Sequence, residues 1–276
     1  MLRSMFSAIS GLKSHQTMLD VTANDIANVN TIGFKAGRTT FKDSLAQMQS
    51  GSAAPNAVQG GSNARQVGLG VQLGSIDNIM SGGALQTTGN ALDVAIQGDG
   101  WFRVGTGGAP PALPASNQYT RAGNFTANEQ GYLVTQDGAY VMGRTAPGGA
   151  GADTYLQVPA GSTNVAIGQD GSMSFDDPAG MTTVAGYLSL AKFSNEAGLE
   201  RSSANRWNAS ASSGAEQVGT PGGGYGLTAS GAVEMSNVDL ASEFTNMITA
   251  QRGFQANSRV ISTADEILQD LVNLKR

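Results

Sequence analysis

Two stripes of apolar residues at helical spacing, one at each end of the chain, limit what this sequence can fold into. The first stripe advances in steps of three and four residues, and the second recurs every seven residues. Such spacing places the side chains on one helix face, as in the seam of a coiled coil. The first stripe consists of Leu2, Met5, Ile9, Leu12, Gln16, Leu19, Ala23 and Ile26. The second consists of Leu240, Met247, Phe254, Ile261 and Leu268, and Phe244 widens it.

The stripes also predict where the two helices begin and end. The first helix is expected to run from near residue 2 to about Asn28, because the stretch 30–33 ends in Gly33, which tolerates a positive φ. The second is expected to begin near Ser236 or Asn237, since either side chain is able to cap it. At 1.5 Å per residue, ~35 residues would extend roughly 50 Å, which is longer than a compact β domain needs.

A hairpin of these two helices would leave apolar side chains outside its seam, among them Val260, Ile267 and Leu274. Exposed apolar surface of this extent favours association. We therefore expect the terminal helices to become fully ordered only between subunits. The alternative is a long helical pair that docks on the chain's own domain.

The region between the helices is predicted to be rich in β-strands. Short apolar or alternating runs are separated by Asp-Gly turns, and the chain contains 38 glycines. Hairpins are predicted to pair residues 91–97 with 101–104, 132–135 with 139–142, and 165–167 with 172–175. Residues 182–193 are predicted to form one longer strand, and residues 202–226 a surface loop.

The predicted fold class is α+β, with long N- and C-terminal helices that form a coiled-coil-like stalk and a β-rich middle domain. Residues 1–30 and 237–276 are predicted to form a discontinuous terminal helical domain. Residues 31–70 are predicted to form a connector arm, because residues 49–64 are mostly Gly, Ser, Ala, Asn and Pro. Residues 71–236 would form the β-rich outer domain.

Composition excludes several classes of function. The net charge is −5 and Lys and Arg are not clustered, which argues against nucleic-acid binding. The chain has no cysteine, which excludes thiolate catalysis and thiolate metal ligands. It has a single histidine, His15, which argues against a His-based metal site. We predict no catalytic site, cofactor or metal. No apolar run approaches the length of a membrane span, and the first thirty residues lack the apolar core of a cleavable signal peptide, so we predict no membrane insertion.

Two alternative functions remain open at this level. Asp93 and Asp99 flank a predicted strand and are the one candidate carboxylate pair for a cell-wall-cleaving enzyme, although no neighbouring residue supports that chemistry. A secreted adhesin or binding module would use the loops of the β domain as its ligand surface. The repeated Asp-Gly turns lack the spaced ligands of a calcium loop.

Several stretches of the sequence resemble bacterial flagellar rod and hook proteins. Near the N-terminus, residues 23–35 read Ala-Asn-Asp-Ile-Ala-Asn-Val-Asn-Thr-Ile-Gly-Phe-Lys, with Asp25 where the family more often has asparagine. In the centre, residues 119–125 read Tyr-Thr-Arg-Ala-Gly-Asn-Phe and residues 131–135 read Gly-Tyr-Leu-Val-Thr. Near the C-terminus, the resemblance covers residues 236–240, 247–258 and 263–268.

This resemblance implies a structural protein that polymerises into a helical tube. Within the family, residues 1–12 and 268–274 are most similar to a short hook protein, whose curved tube transmits motor torque to the filament. The distal rod subunit of the basal body is the alternative. The implied partners are further copies of the chain, the distal rod protein, the hook cap, the hook–filament junction proteins and the type III export apparatus. The implied location is the extracellular flagellum, reached without a cleaved signal peptide.

The residues predicted to make subunit contacts lie in the two stripes and at the end of the first helix. Contacts between different surfaces that do not close into a ring generate open helical filaments, which agrees with an unpaired seam at each end of the chain. The predicted assembly residues are Leu2, Met5, Ile9, Leu12, Leu19, Ile26, Asn28, Gly33, Phe34, Leu240, Phe244, Met247, Phe254, Ile261 and Leu268.

Overall fold

The computed structural model describes residues 2–55, 60–106, 110, 112–114, 116–148 and 151–274. The chain has a helix at each end and a β-rich middle, as the sequence predicts at this level. The described residues pack into two compact units. Unit 1 comprises residues of Met1–Ala27, Gly37–Asn78 and Asp239–Arg276, and unit 2 comprises those of Asn28–Ala36 and Ile79–Val238. The three-part division predicted from the sequence stays a prediction.

Unit 1 contains two long helices and two antiparallel strand pairs. The helices are α1 (Leu2–Ala27) and α2 (Leu240–Asn273), and they pack against each other. The strands are β1 (Gly37–Asp43), β2 (Ala46–Ser50), β3 (Arg65–Gly68) and β4 (Val71–Asn78). Strand β1 pairs with β4, and β2 pairs with β3.

Small residues line the contact between α1 and α2. A Cβ placed on Gly11 would lie 2.8 Å from Nδ2 of Asn257, and one on Gly253 would lie 2.5 Å from Nε2 of His15. These two contacts place the helices antiparallel and close together. The buried side chains that the structure describes in the two helices are short, namely Ala8, Ser14, Thr22, Asp25, Ala250 and Ala264. The larger apolar side chains described in both helices are half-buried or exposed.

Local hydrogen bonds set the inner ends of both helices. At the start of α2, Oδ1 of Asp239 accepts a hydrogen bond from the Ala241 amide at 3.0 Å, so Asp239 is the N-cap. The predicted caps, Ser236 and Asn237, are wrong by two to three residues. Near the end of α1, both carboxylate oxygens of buried Asp25 lie 3.1 Å from the amide nitrogen of Gly37. The residue that departs from the family pattern thus joins α1 to the start of β1.

The described residues of unit 2 form short antiparallel strands and a 3₁₀ turn (Glu196–Gly198). In its first half the strands are β5 (Leu85–Thr87), β6 (Val94–Gln97), β7 (Trp101–Thr106), β8 (Ser116–Thr120), β9 (Thr126–Ala127), β10 (Leu133–Val134), β11 (Tyr140–Arg144) and β12 (Asp153–Tyr155). In its second half they are β13 (Thr163–Ile167), β14 (Ser172–Asp176), β15 (Thr182–Leu188), β16 (Leu190–Lys192), β17 (Glu200–Arg201), β18 (Arg206–Asn208), β19 (Gln217–Gly219), β20 (Leu227–Ser230) and β21 (Ala232–Glu234).

Most of these strands form one large sheet in the order β13-β14-β15-β11-β7-β8-β18-β17, to which β9, β10, β12, β16 and β19 attach. Two smaller pairs, β20 with β6 and β21 with β5, complete the unit. The larger hydrophobic core includes Phe102, Phe125, Leu188 and Leu190. A second cluster surrounds Trp101 and Trp207, whose rings meet edge to face with centroids 5.7 Å apart.

Two of the three predicted hairpins of unit 2 are confirmed, and strands β6 and β7 lie where the third places strands, although they do not pair with each other. Strands β10 and β11 pair around Asp137-Gly138, and β13 and β14 pair around Asp170-Gly171. The predicted hairpin around Asp99 is wrong, because β6 pairs with β20 while β7 pairs with β8, β11 and β16. The long strand predicted over 182–193 breaks between β15 and β16, and β18 and β19 lie within the predicted loop 202–226.

The turn between β17 and β18 contains two non-glycine residues in the left-handed region, Ala204 (φ 57°) and Asn205 (φ 54°). Asparagine tolerates this conformation, whereas alanine is strained by its Cβ. We expect Ala204→Gly to raise the free energy of unfolding by about 0.5–1 kcal/mol, measured by urea denaturation. The control is Ala127→Gly on exposed strand β9, which should lower the free energy of unfolding by a similar amount. A loss of stability in Ala204→Gly would contradict the strain.

Candidate functional site

The predicted assembly residues of the helices are only partly covered within the chain. Their exposure falls into two groups, and the side chain of Leu2 lies outside the described residues. The half-buried group comprises Met5, Leu12, Leu19, Ile26, Asn28, Met247, Phe254, Ile261 and Leu268. The exposed group comprises Ile9, Leu240 and Phe244. The coiled-coil packing of these stripes with other copies stays a prediction.

Exposed apolar side chains form an N-terminal patch and a C-terminal patch on the described part of α2. The N-terminal patch is Leu240, Phe244 and Ile248, which follow one another at four-residue intervals, and Phe244 is 49% exposed. The C-terminal patch is Val260 and Ile267 of α2 together with Leu274, the C-cap residue, at seven-residue intervals, and Leu274 is 82% exposed. Side chains four residues apart, or seven residues apart, lie on the same side of a helix, so each patch follows one face. Both patches offer apolar surface for a partner.

Gly33, at the turn after α1, adopts the predicted positive φ of 67°. Its amide donates a hydrogen bond of 2.7 Å to the carbonyl oxygen of Glu234. A Cβ at this position would lie 2.5 Å from the backbone nitrogen of Ala122. Both the backbone conformation and the space around it therefore require glycine.

Phe34 packs into unit 2 through a stack of aromatic and guanidinium groups. The guanidinium carbon of Arg201 lies 4.7 Å from the ring centroid of Phe34 and 5.1 Å from that of Trp207. The same guanidinium donates a 2.6 Å hydrogen bond to the carbonyl oxygen of Lys35. The described contacts of Gly33 and Phe34 lie within unit 2, and their role in contacts with another subunit stays a prediction.

Three buried charges meet beside this turn. Lys35, Glu234 and Arg121 are 0%, 1% and 3% exposed. Oε1 of Glu234 lies 2.6 Å from Nζ of Lys35, and Oε2 lies 3.2 Å from Nη1 of Arg121. Lys35 also donates to the carbonyl oxygen of Ser81 at 2.8 Å, and the Gly83 amide donates to Oε1 at 3.0 Å. The carboxylate of Glu234 thus pairs with both buried cations, and the half-buried carboxylate of Glu196 attracts each of them as well.

Desolvation dominates the electrostatics of this cluster at Lys35. Burial lowers the pKa of its ammonium group, and the Coulombic attraction and hydrogen bond of Glu234 offset this only in part. Lys35 and Arg121 belong to the stretches that carry the family resemblance, whereas Glu234 has no sequence signal of its own. The structure brings both stretches and the segment before α2 to one place.

The alternative carboxylate pair has a structural explanation at each residue. Asp93 accepts hydrogen bonds from Thr88 at 2.6 Å and Asn90 at 3.1 Å. Asp99 pairs with Lys192 at 2.9 Å, and this hydrogen bond lowers the pKa of its carboxyl. A general acid for glycoside hydrolysis needs a raised pKa. These contacts give no support to a hydrolase.

The remaining candidate groups also have local structural contacts. His15 meets the ring of Phe41 edge to face, with centroids 6.0 Å apart, and lies against Gly253. Among the described residues, no group of three His, Asp or Glu side chains is placed to hold a metal ion. Within the same ranges, no helix combines the length and apolar character that a membrane span requires.

Sequence models of flagellar proteins match three regions of the chain. A model described as "Flagella basal body rod protein" matches residues 5–35, which cover most of α1 and the Gly33 turn. The "Flagellar hook protein FlgE/F/G D1 domain" matches residues 95–175 of unit 2. The "Flagellar basal body rod FlgEFG protein C-terminal" model matches residues 229–274, which include Glu234 and α2.

Known relatives align with the chain from end to end. The flagellar basal-body rod protein FlgG of Bacillus subtilis is 49% identical over 278 residues, with complete coverage of both chains. The chain belongs to the flagellar rod and hook protein family. The FlgG protein of Agrobacterium fabrum is 38% identical over 274 residues, which cover 96% of this chain and 97% of the relative. The flagellar hook protein FlgE of Borreliella burgdorferi is 27% identical over an alignment of 448 positions that covers both chains completely.

Membership in this family has direct consequences for function. Its members are structural components of the flagellar rod and hook rather than enzymes. The prediction of a flagellar structural protein is therefore confirmed at the level of the family. The buried charges and the Gly33 turn described above are then structural groups rather than catalytic ones.

The conformation and close surroundings of Gly33 predict that adding a single methyl group there destabilises the fold. We expect Gly33→Ala to lower the free energy of unfolding by more than the ~1–2 kcal/mol that the left-handed conformation alone costs, because backbone atoms of Ala122 block the Cβ. The matched control is Gly138→Ala, where φ is 78° and no atom lies within 4 Å of the new Cβ. Urea denaturation compares the two variants. Equal losses would argue against the close contact.

Burial of Lys35 predicts a dependence of stability on pH. Its pKa in the folded protein lies below the ordinary value of 10.5, so between these values the unfolded chain binds more protons. The stability contributed by Lys35 is complete above 10.5 and is lost as pH falls through the folded pKa. We therefore expect the unfolding free energy of wild type to increase relative to that of Lys35→Met as pH rises from neutral to about 10.5.

Lys192 provides a control with the opposite sign. Its hydrogen bond to Asp99 raises its pKa, so its contribution is present below the ordinary value and is lost as pH rises through the folded pKa. Urea denaturation over the same pH range should show no increase in the unfolding free energy of wild type relative to that of Lys192→Met. A constant or falling difference for Lys35→Met would contradict the desolvation of Lys35.

Proposed function

We propose that the chain is a distal rod subunit of the flagellar basal body. The observation that carries this proposal is its end-to-end similarity to rod proteins, 49% identical in Bacillus subtilis and 38% in Agrobacterium fabrum. Both rod alignments are close to the 276 residues of this chain, whereas the alignment with the hook protein extends to 448 positions. The hook interpretation from the sequence is thus less well supported than its alternative.

In this proposal, the terminal helices polymerise the chain into a tube. The N-terminal and C-terminal patches of α2 and the exposed ring of Phe6 on α1 supply the apolar surface. The half-buried stripe residues widen these surfaces to form a coiled-coil-like stalk with neighbouring copies. Apolar surface that stays exposed in one subunit drives association when another subunit covers it.

The proposal also fixes partners and location. The principal partner is another copy of the chain, and the protein reaches the flagellum through the type III export apparatus. The hook cap and hook–filament junction proteins, which follow from the hook interpretation, are not carried over. No cofactor is required for a role that depends only on packing.

Polymerisation of purified protein tests this proposal through one residue of the N-terminal patch. We expect Phe244→Asp to raise the critical concentration for polymerisation at least about tenfold, because about half of the ring is available for contact and a charge is buried in its place. Sedimentation and negative-stain electron microscopy measure this, and circular dichroism establishes that the monomer is folded. The control is Gln255→Asp, which adds the same charge at an exposed polar position of α2.

The form of the polymer separates the two family functions. Straight tubes from wild type are expected for a rod subunit, and curved tubes would favour the hook interpretation. Unchanged polymerisation of Phe244→Asp would remove the N-terminal patch from the assembly surface. Failure of wild type to polymerise, even on fragments of isolated rod used as seeds, would argue against the proposal.

A further inference from the structure

Three segments of unit 2 contact one another, and each of them adjoins in sequence a helix or strand of unit 1. Ala36 directly precedes β1, Ile79 directly follows β4, and Asn237 lies three residues before α2. We call residues 33–36, 79–84 and 234–237 the three-segment junction. Its backbone bonds include Ile79 N–H to Ala36 O at 2.8 Å, Gly33 N–H to Glu234 O at 2.7 Å and Met235 N–H to Ala84 O at 2.9 Å.

The side chain of Asn237 connects all three segments at once. Its Oδ1 accepts a hydrogen bond from the Ala36 amide at 2.8 Å. Its Nδ2 donates to the carbonyl oxygen of Ile79 at 2.8 Å and lies 3.2 Å from both the carbonyl oxygen and the hydroxyl of Ser81. These partners fix the orientation of the amide. If it were reversed, Nδ2 would face the N–H group of Ala36, and Oδ1 would face the carbonyl oxygens of Ile79 and Ser81.

Asparagine is suited to this position by its chemistry. A carboxylate would keep the acceptor for Ala36 but would face the carbonyl oxygens of Ile79 and Ser81 without a proton. A hydroxyl would be too short to reach both sides. The buried carboxylate of Glu234 joins the same segments from another direction, through Lys35 and Gly83. The engagement of Asn237 also accounts for its not capping α2, a role taken by Asp239.

We propose that Asn237 is a positioning residue that makes the three-segment junction one cooperative unit. A displacement at the start of β1, at the end of β4 or in the residues before α2 would then be shared by all three segments. Force carried along the chain from β1, β4 or α2 would then be distributed over all three segments of the junction. The use of this coupling in a polymer under torque rests on the proposed function. The coupling itself belongs to the single chain.

Hydrogen exchange of the monomeric full-length chain tests the coupling without any polymer. In wild type, the amides of Gly33, Ala36 and Ile79 should open with the same free energy and the same dependence on urea, as one cooperative unit. Three distinct opening energies would overturn the proposal. Since this measurement needs no variant, it stands even if a substitution prevents folding.

Asn237→Asp distinguishes coupling from a local bond. This change removes the donors to Ile79 and Ser81 but leaves the acceptor for Ala36 and the backbone partner of Gly33 intact. Coupling predicts that exchange accelerates at least about tenfold at all three amides. Acceleration confined to Ile79 would overturn it. The control is Asn195→Asp, which removes a single 3.0 Å bond to the Ser212 carbonyl and should leave the three amides unchanged.

Polymer assays separate this inference from the proposed function. If wild type polymerises and the Asn237→Asp monomer shows the three accelerated amides, bending stiffness measured from electron micrographs should fall in tubes of the variant. Unchanged stiffness would overturn the role in force transmission while leaving the junction itself intact. Failure of wild type to polymerise would overturn the proposed function and would not alter the exchange result.

Discussion

The buried carboxylate of Glu234 is the interaction on which the organisation of unit 2 around the Gly33 turn depends. An unpaired charge in a protein interior is strongly unfavourable, and removal of one partner from a buried pair is more costly than replacement of the whole pair by apolar residues. Here Lys35 follows α1, Arg121 follows β8, and Glu234 ends β21, so the three charges come from distant parts of the sequence. None of them can be buried until the other segments have arrived.

The helices of unit 1 follow a different principle. They approach closely at Gly11 and Gly253, their buried side chains are short, as at Ala250, and their larger apolar residues are half-buried or exposed. Small residues bring two helices together with little side-chain entropy lost. The large side chains then retain surface for contacts outside the chain. Within one helix, one set of residues thus serves packing inside the chain and another set offers surface outside it.

The sequence predicts the elements of this protein better than their partners. Heptad spacing locates both helices, and Asp-Gly turns locate two hairpins, because these signals act over a few residues. The same reasoning is wrong at Asp99, since a glycine turn does not specify that β6 pairs with β20, about 130 residues away. It also misses the close contact at Gly11, because apolar periodicity gives no weight to glycine. Glu234 has no local signal, and only the folded chain reveals its two cationic partners. The predicted assembly residues concern other subunits, which a single chain does not contain.

The pairing of α1 with α2 also constrains how the protein is made. Some 210 residues separate these helices, and the chain is synthesised from the N-terminus. Helix α1 emerges first and has no α2 to pack against until translation is nearly complete. Contacts between such distant segments form slowly. Unit 1 is therefore the last part of the protein able to close, and an apolar N-terminal segment stays available to chaperones throughout synthesis.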